Sequence, residues 1–281
     1  MRIGDVEVMA MLDGDAALDM PITEAFPDAP PATLMGASYS GLVAAGGTWH
    51  LRVRAWLVRH PGGVLLVDTG VGPSSSPAMG WFPQPGRLHE ALNSAGSSAD
   101  QIDTVVISHV HDDHIGGTVS PGGSPAFPNA RYVVQAADVA AQRASAKDSD
   151  EDLAIWDALL QPLLDAGALQ EIDGDHVLTD LLSLEHAPGH TPGHQVLLIA
   201  SKGDRLMIAA DAWNHPSQFG HPEWASAMDA EPALAAQTRL ELLADLRSNP
   251  RTLVAPTHLA EAFGTVLEGP GGDPDWAPHP T

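Results

Sequence analysis

The sequence predicts an α/β fold in which strands and helices alternate in layers. Short apolar runs typical of strands recur along the chain: Val6–Met11, Ala55–Val58, Val64–Val67, Thr104–Ile107, Tyr132–Val134, Val196–Ile199, Leu206–Ala209 and Thr252–Val254. Other stretches carry Leu and Ala at helical spacing, with Gly or Pro near their ends: Gly86–Ala95, Ala136–Ala144, Asp152–Ala166 and Pro232–Arg247. Two similar halves of this kind fit a four-layer sandwich of strands and helices.

The length of 281 residues is compatible with one large core, because α/β folds of this size often form one domain. We therefore expect a single domain over residues 1–281. A loop extension is expected at about residues 12–50 and a flexible tail at about 269–281. Pro- and Gly-rich segments predict two long loops over a pocket, Pro21–Gly47 and Pro73–Gly86, and a surface loop, Ser120–Pro128.

Composition argues against several classes of function. The formal net charge of -23 would repel polyanions, so neither nucleic acid nor an anionic membrane is an expected partner. The chain has no cysteine, which rules out disulfides and thiolate metal ligands. The first residues, MRIGDVEVMAMLDGD, do not resemble a signal peptide, and no apolar run is long enough to cross a membrane. A cytoplasmic protein is the expectation.

The stretch SHVHDDHIGG, residues 108–117, indicates a metal site. In an extended segment, residues two apart point to the same side. His109 and His111 are therefore expected to aim at one point, and Asp113 and His114 at a second. Imidazole and carboxylate are the ligands that Zn²⁺ and similar cations prefer. A polar loop with incidental histidines is the alternative, and the density of ligand types speaks against it.

Further candidate ligands stand where apolar runs end, and strand ends are rigid platforms. RLMIAA is followed by Asp211 and TLVAPT by His258, while APGHTPGH contains both His190 and His194. Spacing alone does not choose between those two histidines. LLVDTG includes Asp68, which either hydrogen-bonds a ligating histidine or only forms a turn before Gly70.

These motifs, in this order from VDTG to PTH, resemble the metallo-β-lactamase superfamily in its dinuclear hydrolase form. The resemblance implies an αββα sandwich with two metals at one edge. It implies that His109, His111 and His190 hold the first metal, that Asp113, His114 and His258 hold the second, and that Asp211 bridges them. His194 is then either structural or a residue that supports a ligand.

Two divalent ions sharing a water would lower its pKa and so generate a hydroxide nucleophile for hydrolysis. Asp113 is expected to orient that nucleophile and to move its proton. Zinc is the first expectation for both ions, and manganese, iron or cobalt would accept similar ligands. A regulatory module that binds metal without turnover is the alternative from another class.

A looser resemblance concerns the substrate. VEVMAMLDGDAAL, HPEW, MDAEP, TRLELL and THLAEAFG resemble the branch that holds quorum-quenching lactonases and methyl parathion hydrolases. This resemblance implies a lactone, an N-acyl homoserine lactone or γ-butyrolactone, or a related ester. A phosphotriesterase or arylesterase is the alternative. A homodimer is a further expectation from the resemblance.

Aromatic residues near the ligand-bearing segments are expected either to line an apolar pocket or to lie in the core. They are Trp81, Phe82, Trp213, Phe219 and Trp224. Related lactonases carry a tyrosine shortly after the bridging aspartate, whereas Asp211 is followed here by Ala212, Trp213, Asn214 and His215. His215 is expected either to donate a proton to the leaving group or to occupy a turn before Pro216.

Overall fold

The computed structural model describes residues 1–269 and 271–279, and its first sheet has seven strands that follow chain order from edge to edge. The first four strands pair antiparallel and the last four pair parallel. These strands are β1 (Arg2–Ile3), β2 (Val6–Pro21), β3 (Thr48–His60), β4 (Gly63–Val67), β5 (Thr104–Val106), β6 (Arg131–Gln135) and β7 (Leu169–Ile172).

The second sheet also has seven strands, in the order β14-β13-β12-β11-β10-β9-β8. Its neighbours pair antiparallel except for β11 and β12, which are parallel. The strands are β8 (His176–Thr179), β9 (Leu182–His186), β10 (Gln195–Ser201), β11 (Asp204–Ala210), β12 (Leu253–Pro256), β13 (Gly264–Glu268) and β14 (Pro274–Pro278).

Helices connect these strands, and none of the described helices is long and apolar enough to span a membrane. They are α1 (Ile22–Ala25), α2 (Pro31–Leu34), α3 (Leu88–Ser94), α4 (Asp112–Ile115), α5 (Ala136–Ser145), α6 (Asp150–Ile155), α7 (Gln161–Asp165), α8 (Ser217–Gly220) and α9 (Pro232–Ser248). A π-helical turn (Trp156–Leu160) joins α6 to α7, and short 3₁₀ segments cover Ala37–Leu42, Pro77–Gly80 and Ala99–Gln101.

Buried residues form three layers of core, which confirms the predicted αββα sandwich. Val106 of β5 packs between the sheets with Leu197 and Ile208 of the second sheet. The preceding residue in β5, Val105, belongs to the cluster that packs α3 and the segment from α6 to α7 onto the first sheet. Leu242 in α9 packs on the outer face of the second sheet. Because successive side chains of a strand point to opposite faces, one run of apolar residues serves two layers.

The prediction of a loop from about residue 12 is wrong at its start, because β2 continues to Pro21. The polar sequence DGD interrupts the apolar pattern there. Asp13 is nevertheless buried, because its carboxylate accepts the N–H groups of Val71 at 2.8 Å and Leu88 at 2.7 Å. A bulge between Leu12 and Gly14 shifts the register at this point.

The predicted loop Pro21–Gly47 contains α1, α2 and a 3₁₀ segment, and its apolar side chains join the core. The predicted flexible tail contains β14, which pairs with β13 through Val266 and Trp276. Trp276 is buried and stacks on Phe219 with ring centroids 5.1 Å apart. In their described residues, both segments are held by packing between residues distant in sequence, which local composition does not reveal. Residues 270 and 280–281 of the predicted tail lie outside the described residues.

Six short strands were not predicted from the sequence. They are β1, β7, β8, β9, β13 and β14. β8 and β7 carry few apolar residues and have intermediate burial, so they lack a clear alternating pattern. The predicted helix Asp152–Ala166 begins two residues earlier, at Asp150, where Ser149 accepts the N–H of Asp152.

Candidate metal centre

Loops at one edge of the two sheets carry the predicted ligands. His109 follows β5, and α4 begins at Asp112, directly after His111. Asp211 follows β11, whose last residue, Ala210, has φ 45°. This left-handed conformation is unfavourable for a residue with a side chain, and it turns the chain sharply out of the strand. His258 follows the neighbouring parallel strand β12.

Three histidines form the first group of ligand atoms. His109 Nε2 lies 3.0 Å from His111 Nδ1, and His190 Nε2 lies 3.2 Å from the same nitrogen. Burial, and then the neighbouring rings, lowers the pKa of His109 and of His111 well below the ordinary value. These rings are therefore held neutral, which is the form of imidazole that binds metals.

The second group joins His114, His258 and Asp113. The Nε2 atoms of the two histidines are 3.3 Å apart. Asp113 Oδ2 lies 3.5 Å from His258 Nε2 and 3.7 Å from His114 Nε2. Burial alone would lower the pKa of His114, but the carboxylates of Asp211, Asp113 and Asp68 raise it well above its ordinary value. The second group is thus surrounded by more negative charge than the first.

Asp211 lies between the two groups. Its Oδ1 is 3.2 Å from His114 Nε2, and its Oδ2 is 3.0 Å from His258 Nε2 and 3.4 Å from His190 Nε2. Burial would raise the pKa of Asp211, but His258 and His114 hold it well below its ordinary value. An ionised carboxylate at this position can share its two oxygens between two cations.

The residues fit divalent metal ions. Imidazole nitrogens and carboxylate oxygens from both groups lie close together in one largely buried space. Asp211 Oδ1 is buried and has no hydrogen-bond partner among the described residues. His109, His111 and His190 lie within 4.8 Å of one another through one atom each, as do Asp113, His114 and His258. The donor set matches the preference of zinc and similar cations.

Further hydrogen bonds orient the candidate ligands. Asp68 Oδ2 lies 2.8 Å from His114 Nδ1 and also accepts the Ser108 hydroxyl at 2.7 Å. Asp68 has φ 60°, and its carboxylate is fully buried. Of the two interpretations of Asp68, the structure therefore places it beside a candidate ligand. His258 Nδ1 donates to the backbone oxygen of Arg52 at 2.6 Å. Contacts of this kind select the tautomer that directs Nε2 to the metal.

The hydrogen bonds of His194 distinguish its role from that of His190. Its Nδ1–H donates to the Ala187 carbonyl at 3.0 Å, and its Nε2 accepts the backbone N–H of Asp211 at 3.2 Å. Burial is the main cause that lowers its pKa to about 3, which keeps the ring neutral. Since both of its nitrogens bind backbone groups, His194 positions Asp211, and His190 is the candidate ligand of the two histidines.

A cavity of about 440 Å³ opens onto the ligands His111, Asp113, His190, Asp211 and His258. Its wall is largely apolar and includes Leu18, Met20, Trp49, Leu51, Trp81, Ile155 and Met228. Asp112, Gln142, Glu151 and Asp152 also line it, and among the described residues no Lys or Arg does. Trp81 Nε1 donates to Asp112 at 3.0 and 3.1 Å.

Of the five aromatic residues predicted for the pocket, only Trp81 lines this cavity in the described part of the chain. Phe82, Trp213 and Phe219 are core residues instead, and Trp213 stacks on Phe219 at 4.5 Å. Trp224 is partly buried and stacks on His221 at 3.8 Å. Proximity to a candidate ligand in the sequence does not determine the direction in which a ring points. Burial of apolar surface is favourable, and these rings therefore pack into the core.

The structure does not place His215 at the cavity. Its ring is buried between Phe26 and Tyr39, with centroid distances of 5.1 and 4.7 Å, and its Nδ1 lies 2.7 Å from the Ser217 hydroxyl. The predicted proton donor is therefore a core residue that packs under the N-terminal segment. The residue that does line the cavity here is Asn214, whose Nδ2 donates to Asp211 Oδ2 at 3.1 Å.

Sequence reasoning also missed several supporting residues. Asp229 Oδ1 lies 3.0 Å from His190 Nδ1, and Arg239 Nη1 lies 3.2 Å from Asp229 Oδ2. Arg54 is buried and donates to three backbone oxygens around His258, those of Thr257, Leu259 and Ala260. Asp229 lies within the MDAEP motif, which was the one available signal. Arg54 stands in an apolar run, and nothing in its spacing marks it.

Comparison with known proteins places these features in a family. The model of the metallo-beta-lactamase superfamily matches residues 49–258. An N-acyl homoserine lactonase from Bacillus sp is 29% identical over 219 residues, which cover 73% of this chain and 81% of that protein. The crystal structure of AidC, a dizinc quorum-quenching lactonase in complex with a product, is 26% identical, with a TM-score of 0.84. That match covers 100% of this chain and 97% of AidC.

Proposed function

The chain belongs to the metallo-β-lactamase superfamily and is a hydrolase of that superfamily, and we propose that it opens lactones at a centre of two divalent metals. The observation that carries this proposal is the cavity of about 440 Å³, which joins the candidate ligands to an apolar wall. The similarity to N-acyl homoserine lactonases, at 29% identity or less among the relatives named above, supports the same substrate class.

Two sets of side chains would hold the metals. His109, His111 and His190 would bind one ion, and Asp113, His114 and His258 the other, with Asp211 shared. When bound, the ions would lower the pKa of a water and polarise the carbonyl under attack. Zinc suits this donor set, and manganese, iron and cobalt accept similar ligands.

Asp113 and Asn214 have the positions for the remaining steps. Asp113 lines the cavity beside the second set of ligands, where its carboxylate can accept the proton of the attacking water and return it to the leaving alkoxide. Asn214 fixes the orientation of Asp211 with one N–H of its amide. The other N–H is suited to hold a substrate carbonyl at the cavity wall.

The residues of the cavity wall indicate which substituents the lactone ring of a substrate can carry. Leu18, Met20 and Leu51 from β2 and β3 offer an apolar surface for an acyl chain. The charged lining residues apart from the candidate ligands are acidic. A substrate whose tail carries a carboxylate would be repelled, because the described lining has no Arg or Lys to pair with it. We therefore expect N-acyl lactones or alkyl γ-butyrolactones with uncharged tails.

The test is a pH-indicator assay with protein loaded with zinc, manganese or cobalt. The substrates are N-acyl homoserine lactones of increasing chain length, alkyl γ-butyrolactones, aryl esters and aryl phosphotriesters. We expect kcat/KM to be highest for lactones and to rise with acyl length. The Asp211→Asn variant is the background control. Faster turnover of phosphotriesters would make this a phosphotriesterase, and a protein that binds metal but hydrolyses none of these substrates would be a regulatory binding module instead.

A further inference from the structure

Asp138 connects two segments that carry candidate ligands. It lies in the first turn of α5 and is almost fully buried. Its Oδ2 accepts the backbone N–H of Val110 at 2.9 Å and the hydroxyl of Thr191 at 2.9 Å. Its Oδ1 accepts the backbone N–H of Gly193 at 2.5 Å. One carboxylate thus holds three donors from two separate loops.

These donors alternate with ligands of the first group. Val110 stands between His109 and His111, and Thr191 directly follows His190. The first loop leaves β5 of the first sheet, and the second joins β9 to β10 of the second sheet. Asp138 is therefore a crosslink between the two sheets at the three histidines.

Gly193 permits this close approach. A Cβ atom at position 193 would lie 2.7 Å from the backbone nitrogen of Asp138 and 2.8 Å from the Cβ of Gln135. Both distances are shorter than real Cβ contacts allow, so any side chain there would push the loop away from α5. The glycine in PGHTPGH thus serves the contact with Asp138.

The second group of ligands has different supports. Asp68 binds His114 Nδ1, and the backbone oxygen of Arg52 binds His258 Nδ1. Arg54 holds the backbone oxygens of Thr257 and Leu259 at 2.8 and 2.6 Å. Asp138 makes none of these contacts. The two groups share the Ser108 hydroxyl, which lies 3.0 Å from His109 Nδ1 and 3.4 Å from His114 Nδ1, and this link does not involve Asp138.

We propose that Asp138 is a positioning residue that sets metal affinity at the three-histidine position and leaves the other position nearly unaffected. The inference rests on the proposed two-metal centre. An asparagine at this position would replace one acceptor oxygen with a donor, which would face an N–H or O–H of the loops. Outer residues of this kind typically change metal affinity about 10–100-fold.

The experiment is a zinc titration of the metal-free full chain against a chromophoric chelator, which resolves two stepwise affinities. For Asp138→Asn we expect one affinity to fall about 10–100-fold and the other to stay within about threefold. Asp13→Asn is the matched control, because Asp13 is also buried and accepts two backbone N–H groups, from Val71 and Leu88. It should lower the melting temperature and leave both affinities intact.

Two variants that each lack a candidate ligand show which metal position Asp138→Asn affects. In His258→Ala, Asp138→Asn should weaken the remaining ion, whereas in His111→Ala it should change the remaining affinity little. If Asp138→Asn fails to fold, Thr191→Val removes one donor alone and should weaken the same position by a smaller factor. Equal weakening of both positions, or no weakening, would overturn the role of Asp138. A parent chain that binds fewer than two ions would overturn the two-metal centre, and this inference with it.

Discussion

Asp229 holds the Nδ1 nitrogen of His190 at 3.0 Å and, with its other oxygen, meets the guanidinium of Arg239 at 3.2 Å. Both side chains of the ion pair are almost fully buried. Ser226 also donates its backbone N–H to Asp229 at 3.0 Å. A candidate ligand on the connection before β10 is thereby tied to α9, which covers the outer face of the second sheet.

Asp229→Asn should destabilise the metal-free protein by about 3–5 kcal/mol, because it leaves the buried Arg239 without its counter-charge. Urea unfolding in the presence of a chelator measures this. The control is a double-mutant cycle with Arg239→Met. The double variant should be less destabilised than the sum of the two single variants, by at least about 1 kcal/mol. Strict additivity would show that the pair contributes no coupling.

Asp113→Asn should lower kcat by about 10²–10⁴-fold, since the amide cannot accept a proton from the attacking water. Steady-state kinetics are compared at measured metal content, because Asp113 is also a candidate ligand. Asp112→Asn is the neighbouring comparison, and Asp112 binds Trp81 in the cavity wall. It should act mainly on KM. Equal losses of kcat in the two variants would contradict a specific role for Asp113 in proton transfer.

His215 should make stability depend on pH. Burial lowers its pKa to about 4 in the folded chain, whereas an unfolded histidine has a pKa of about 6.5. Because the folded pKa is the lower one, the unfolded chain binds the proton more tightly. The neutral ring's contribution is therefore present above pH 6.5 and is lost as pH falls towards 4, by about 3 kcal/mol in all.

His215→Phe keeps an aromatic ring between Phe26 and Tyr39 and removes the titrating group. Urea unfolding of chelated protein between pH 7.5 and pH 4, at roughly half-unit steps, should therefore show a shallower fall in the free energy of unfolding for the variant, by about one proton. If the free energy of unfolding falls with pH equally in both proteins, the burial of His215 is not what makes stability depend on pH.

Gly116→Ala should destabilise the protein by about 1–3 kcal/mol and weaken metal binding at His114. A Cβ at position 116 would lie 2.2 Å from the backbone oxygen of Val71 and 2.6 Å from that of Asp112. Thermal unfolding and zinc titration measure the two effects. Gly122→Ala is the control, because its Cβ would meet only the Ser120 hydroxyl, at 3.7 Å. If both variants have the same melting temperature and zinc affinity, the close backbone contact at Gly116 does not determine stability or metal binding.

Two glycines directly after candidate ligands, as in HIGG at Gly116–Gly117, are readily interpreted as a tight turn. Gly116 instead has φ -57°, an ordinary helical value, and its lack of a side chain admits the backbone of Val71. Likewise, the aromatic residues near the ligands were visible in sequence, but only Trp81 reaches the described cavity lining. Spacing in the sequence shows which residues are close along the chain, but it does not show which residues come into contact in the folded protein.

The layered fold and the candidate metal ligands could be predicted from the residue pattern and its resemblance to a known family. Alternating apolar residues in strands such as β5 must be buried on two faces, and a dense set of His and Asp at strand ends has few other uses. The hydrogen bonds that distinguish His194 from His190, the burial of His215, and the contacts of Asp138, Asp229 and Arg54 at the site are seen only in the folded chain. These outcomes depend on which backbone N–H and carbonyl groups remain unpaired once the sheets pack, and no local pattern in the chain encodes that.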